Sequence, residues 1–404
     1  MAGRRRAVSR AGWFVPLGAL LLGLAGCGTD SAPTDTRTAA VQQVLDRRAA
    51  AVLHKDSAAY RATGGADPYL LLDLAAVPLD SWTYKVTRLA SLGGSGSRVS
   101  ASAELRYRID GYDEAPVVAE RTLTLKRQDG RWRVVDDEPA EKTGQQLWEQ
   151  GRVTAVKGAH SLVLGVGQQR SVLASYAGIA DDAVPAVTDA WGPGWARKVV
   201  VLVPRSLEGM GGLLGSPASA YQGIAAVTTG EAGGSGSAPA DRVIINPEAY
   251  GVLGAFGKQV VLTHETAHVA TRAETSPATP LWLSEGYADW TGYRDTGRTA
   301  GQAAPELQRA VQEGTPPATL PDDADFGFTG DSSKLAQAYE SGWLACRMIA
   351  ERWGEAKLNA FYRAVGEHRQ RAGAVESALQ NVLGIDEKDF TARWRTYVRT
   401  ALAG

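Results

Sequence analysis

Cysteine is nearly absent from this 404-residue chain, which has only Cys27 and Cys346. A disulfide framework is thereby excluded, and the fold must rest on packed cores. Methionine and phenylalanine are scarce too, at three and six. Histidine occurs five times, few enough that two at close spacing carry information. There is no excess of basic charge: the formal net charge is −1, and without residues 1–26, which hold four arginines and no acid, it falls to −5. A chain with no basic stripe is not built to bind nucleic acid. Beyond residue 24 no long apolar run appears, so no second membrane segment is expected. No internal repeat is evident. What is present, 44% hydrophobic and 22% charged residues, is the composition of a globular protein with room for two or three domains.

The N-terminus reads as an address. Arg4, Arg5, Arg6 and Arg10 precede an apolar run over 13–24 that is too short to span a membrane. The run closes in Leu24-Ala25-Gly26-Cys27, which resembles the lipobox of bacterial lipoproteins. The resemblance implies cleavage after residue 26, a lipid on Cys27 and residence on the extracytoplasmic side of the cell membrane. An ordinary signal peptide is the alternative. Residues 27–40, small and polar with a proline, are expected to form a flexible tether.

From Val41 the pattern turns helical, with Val41, Val44, Leu45, Ala49, Val52 and Leu53 recurring and Arg47 and Arg48 between them. Strand-like alternation follows over 82–89, 101–109, 117–127 and 131–135, separated by turn-forming residues. Helices followed by long antiparallel strands over 41–140 resemble the nuclear-transport-factor-like (SnoaL-like) cone. No residue set in that unit suggests chemistry, and it is expected to be dispensable for the reaction. A second domain over 144–404 opens with apolar runs at 160–166 and 198–203, flanking a helix over 170–190 interrupted by Pro185. Segments 223–228 and 242–246 pair as strands. The loop over 230–240 is a plain connection or a flap, and the chain is mostly helical after Pro247. The expected class is α+β: a cone-like domain, then a small mixed sheet with a helical subdomain.

The chemistry concentrates in His264-Glu265-x-x-His268. Two imidazoles one helical turn apart can share a cation, and Glu265 is placed to reach its water rather than the ion. With five histidines and twenty glutamates, chance would produce this pattern in roughly 0.3% of such chains. A catalytic zinc takes three protein ligands and leaves a fourth position open. Glu285, in Trp282-Leu283-Ser284-Glu285-Gly286-Tyr287-Ala288 at the start of the next helix, is the natural third, with sixteen residues between it and His268.

These segments resemble the gluzincins, the zinc peptidases that include thermolysin and the aminopeptidase N family. The resemblance implies Zn2+ held by His264, His268 and Glu285, with Glu265 as catalytic base. It also implies that Asp289, four residues after Glu285, orients a ligand histidine; a surface carboxylate is the alternative. Tyr339-Glu340-Ser341-Gly342 resembles the aminopeptidase segment whose tyrosine supports the oxyanion, which gives that role to Tyr339. The Gly-x-Met-Glu-Asn strand that grips a free N-terminus has no counterpart, and Glu208-Gly209-Met210-Gly211-Gly212 is not one. An exopeptidase assignment therefore does not carry over. The substrate implied is a peptide or protein outside the membrane, bound along a sheet edge expected at 242–246. A zinc-binding lipoprotein that uses the cleft only as a binding or scaffold module is the competing reading.

Overall fold

The computed structural model describes residues 33–93, 96–229, 240–327 and 331–403. Cys27 and the leader, along with residues 230–239 of the glycine-rich loop, lie outside them. Among the described residues, no helix is long and apolar enough to cross a membrane.

The class is α+β, as expected. The first helix, α1 (Pro33–Leu53), lies on a four-stranded antiparallel meander, β1 (Leu79–Ser91), β2 (Arg98–Ile109), β3 (Val117–Gln128) and β4 (Arg131–Pro139), ordered as in sequence. Alternate residues of β2, from Val99 through Ala101, Ala103, Leu105 and Tyr107 to Ile109, are buried beneath it. The register shifts at Val86/Arg88 and at Thr124/Leu125, each leaving one residue without a cross-strand partner as in a β-bulge. One boundary departs from expectation. The helix starts at Pro33, so residues 33–40, expected as tether, extend the helical face, and proline suits a first turn because its missing N–H has no partner there. Arg48 is fully buried, its guanidinium donating to Tyr60 Oη, Thr63 Oγ1 and the Ala66 carbonyl.

The second sheet comprises β5 (Val153–Lys157), β6 (Ser161–Val166), β7 (Val199–Val203), β8 (Ala226–Thr228) and β9 (Val243–Ile245), in the order β5-β6-β7-β9-β8. Its centre, β6-β7-β9, is parallel, and both outer strands run antiparallel. The segment expected at the edge is therefore interior: β9 sits between β7 and β8, and among the described residues β8 is the outer strand on that side. Sequence alone could not decide this, because both are short apolar strands joined by one loop. The helix α2 (Arg170–Trp191) crosses from β6 to β7 without a break at Pro185. Burial of Ala180, Ala183, Val184 and Val187 around that turn offsets the missing backbone hydrogen bond.

Every residue of β6 is buried, as a sheet covered on both faces requires. Val163, with Val201 and Val243, packs on α2. Leu162, Leu164 and Val166 point the other way into the core of the N-terminal unit, which Trp148 joins against Trp82 and Tyr107. The two units thus share a core, and the N-terminal one forms a wall of the sheet. Its expected independence is not reflected in the packing.

The helical half holds α3 (Ala255–Thr271), α4 (Leu281–Tyr293), α5 (Ser332–Trp353), α6 (Glu355–Gly366) and α7 (Glu387–Ala401) around one apolar cluster. Where α4 and α5 cross, an added Cβ on Gly286 would lie 2.3 Å from the Gly342 carbonyl oxygen, and one on Gly342 would lie 2.5 Å from that of Trp282. Only glycine permits this approach.

Candidate metal centre

The helix α3 buries Leu262, Ala267 and Ala270, which fixes its rotation and turns His264 and His268 to one face. Their rings meet edge-on at 4.7 Å, with the two Nε2 atoms 3.0 Å apart. From α4, Glu285 Oε2 lies 3.3 Å from His264 Nε2 and 3.5 Å from His268 Nε2. Among the described residues, these three form the one group able to hold a metal ion. Tetrahedral zinc at about 2.05 Å from each ligand would set ligand atoms about 3.3 Å apart, and the observed triangle matches. Two imidazoles and a carboxylate, without cysteine, also fit a site with an open position rather than a closed structural one.

The surrounding charge suits a cation. Burial disfavours charge on His264, yet Asp289, Glu285 and Glu265 together raise its pKa well above the ordinary imidazole value. Burial likewise raises Glu285, but His268 and His264 outweigh it and hold the carboxyl far below its usual range. Asp289 Oδ1 accepts from His264 Nδ1 at 2.8 Å. That contact assigns the proton to Nδ1 and leaves the Nε2 lone pair for the triangle.

Glu265 is buried, and its Oε2 accepts a 2.6 Å hydrogen bond from Thr228 Oγ1 on the edge strand. Tyr339, from α5, reaches the same cleft as His264, Glu265 and Asp289, a cavity of about 420 Å³ walled by Ala226, Val261, Leu335 and Trp343. Beside it, Glu340 accepts the backbone N–H groups of Leu307 and Glu306 at 2.6 and 3.2 Å. Burial pushes its carboxyl up to about 7. The structure therefore brings together His264, Glu265, His268, Glu285, Asp289 and Tyr339, and Cys27 lies outside the described residues.

No family model matches the chain, and no curated protein does. Solved structures are similar to it at low identity. An M1 zinc metallopeptidase from Deinococcus radiodurans is 14% identical over 76% of this chain and 61% of that one, with a TM-score of 0.36. A two-domain M1 zinc metallopeptidase bound to L-arginine is 13% identical over 75% and 61%, at 0.35. Native yeast LTA4 hydrolase is 10% identical over 78% and 67%, at 0.39. The chain thus spans 61% of the length of the two metallopeptidases. TM-scores below 0.5 decide nothing about chemistry, which rests on the residues themselves.

Sequence reasoning missed Thr228, which no motif marks. It also missed the ion pairs that hold the far end of α3. Arg272 Nε lies 3.1 Å from both oxygens of Asp241, and the adjacent Arg242 makes a two-pronged pair with Asp113 at 2.7 Å on each side. Asp113 belongs to the N-terminal unit, 129 residues away in the chain, a separation at which no local pattern signals contact.

Proposed function

We propose that the protein is a zinc-dependent peptide hydrolase, a reading carried by the 3.0–3.5 Å triangle of His264, His268 and Glu285 beside the buried Glu265. Bound there, zinc would supply a Lewis acid that polarises the scissile carbonyl and acidifies the attacking water. Glu265 takes the water's proton and delivers it to the leaving amine. Thr228 occupies Oε2 of that carboxylate, which leaves Oε1 for the water. Tyr339 donates its phenol hydrogen to the developing oxyanion. Asp289 holds the His264 ring in register. The substrate is an extended peptide lying along β8, the edge strand that borders the cleft.

The address at the N-terminus and the lipobox-like Leu24-Ala25-Gly26-Cys27 support a lipoprotein acting outside the membrane. The helix packed on a four-stranded antiparallel meander supports a cone-like reading of the N-terminal unit.

The test is metal content and peptide cleavage by protein beginning after Cys27. Wild type should hold about one zinc and cleave unstructured peptides. Glu265→Gln should keep the zinc and lose at least a hundredfold in kcat, since an amide cannot accept the proton. Stoichiometric zinc with no cleavage by wild type would turn the reading to a binding module, and failure of wild type to hold zinc would end it.

A further inference from the structure

The turn between β2 and β3 docks on the second sheet through three successive residues. Lys198 Nζ donates to the Gly111 carbonyl at 2.7 Å, and Tyr112 Oη donates to the Ser161 carbonyl at 2.9 Å. Asp113 takes the Arg242 guanidinium with both oxygens. That last pair is buried, with side-chain exposures of 6% for Arg242 and 1% for Asp113. Asp113 is itself held, because its Oδ2 accepts the Ile109 N–H at 2.7 Å. Charges removed from water this thoroughly depend on each other: take one away and the other stays buried and uncompensated.

Arg242 stands where the metal helix is gripped. Its N–H donates to Thr229 Oγ1 at 2.8 Å and its carbonyl accepts the Thr229 N–H at 2.9 Å, closing the base of the β8–β9 pair. From that base two contacts reach α3. Thr228 Oγ1 donates to the Glu265 carboxylate and also, at 3.1 Å, to its backbone carbonyl. Asp241 and the Thr229 carbonyl together hold Arg272, which follows Thr271, the last residue of α3. The base glutamate and the C-terminal end of the helix carrying His268 are thus tied to the paired ends of β8 and β9, and Arg242 at that junction is pinned from the other unit.

We propose that Asp113 is a positioning residue for the reaction: acting through Arg242, it fixes the β8–β9 base against Glu265 and Arg272, so that the N-terminal unit is part of the catalytic assembly. The effect on turnover rests on the hydrolase reading above; the effect on local order does not.

The experiment is Asp113→Asn in the full chain. In zinc-free protein, amide exchange at 226–229 and 265–272 should quicken at least tenfold, while α7 exchanges as in wild type. In zinc-loaded protein, kcat should fall at least tenfold with KM within twofold and zinc retained. Asp113→Glu, which restores the charge, should recover much of both. If Asp113→Asn cannot fold, Asp113→Asn with Arg242→Gln removes the buried charge and should show the same local exchange. A folded variant with wild-type exchange and turnover would overturn the proposal, as would exchange quickened equally in α7. A wild type that holds zinc without hydrolysing anything would sink the hydrolase reading and leave exchange to judge Asp113.

Discussion

Gly286→Ala tests how the third ligand is placed. In an unencumbered helix this change stabilises, since alanine is favoured over glycine by about 1 kcal/mol. Here the new Cβ would meet the Gly342 carbonyl oxygen at 2.3 Å and its carbon at 2.4 Å, where ordinary contact begins at 3.4 Å. Both atoms are backbone, so no rotamer change relieves the overlap, and α4 must move from α5 by about 1 Å. Overpacking of this kind costs about 1–3 kcal/mol, enough to erase the propensity gain. The neighbouring residue is Glu285, and functional side chains tolerate displacement of about 0.5 Å. Zinc affinity should therefore drop at least tenfold, or about 1.4 kcal/mol. The assays are chelator competition for zinc and thermal unfolding of the zinc-free protein. Gly178→Ala is the control: it is exposed in α2, and an added Cβ there meets nothing within 4 Å, so its Tm should rise. If Gly286→Ala raised Tm in the same way and left zinc affinity unchanged, the argument that glycine sets the helix crossing would be refuted.

Asp289→Asn should weaken zinc binding by roughly 10–100-fold, read by the same competition, because the amide no longer fixes the Nδ1 proton of His264 with a charge. Glu340 should make stability fall with pH. Its folded value near 7 exceeds the ordinary 4.5, so the protonated fold is favoured below about 4.5 and that advantage fades as pH climbs through 7. The loss reaches up to roughly 3 kcal/mol, and Glu340→Gln should flatten this part of a urea-unfolding profile recorded between those pH values. Cys27→Ser should release the protein from the membrane fraction, and wild type found free with an unmodified N-terminus would count against a lipid anchor.

The secondary-structure elements and the chemistry encoded by local spacing were legible in the chain alone. Period-two burial in β1–β4 and the one-turn separation of His264 and His268 are properties of a short stretch of chain, and both are legible there. So was the pairing of Glu285 with Asp289 on one helix face. Arg48, by contrast, sits within the same helical pattern and reads as a charge among apolar residues, yet tertiary contacts with Tyr60, Thr63 and Ala66 bury it. Likewise β8 and β9 are both three-residue apolar strands, and which of them forms the sheet edge depends on whether β7 pairs with one or the other. That choice put Thr228, rather than a residue of 242–246, against Glu265. The shared core behind β6 and the Asp113–Arg242 pair arise in the same way, from surfaces meeting between segments far apart in the chain, 129 residues in the case of the ion pair. Spacing along the chain carries facing on one helix or strand, while contact between elements is set only when whole faces are buried together.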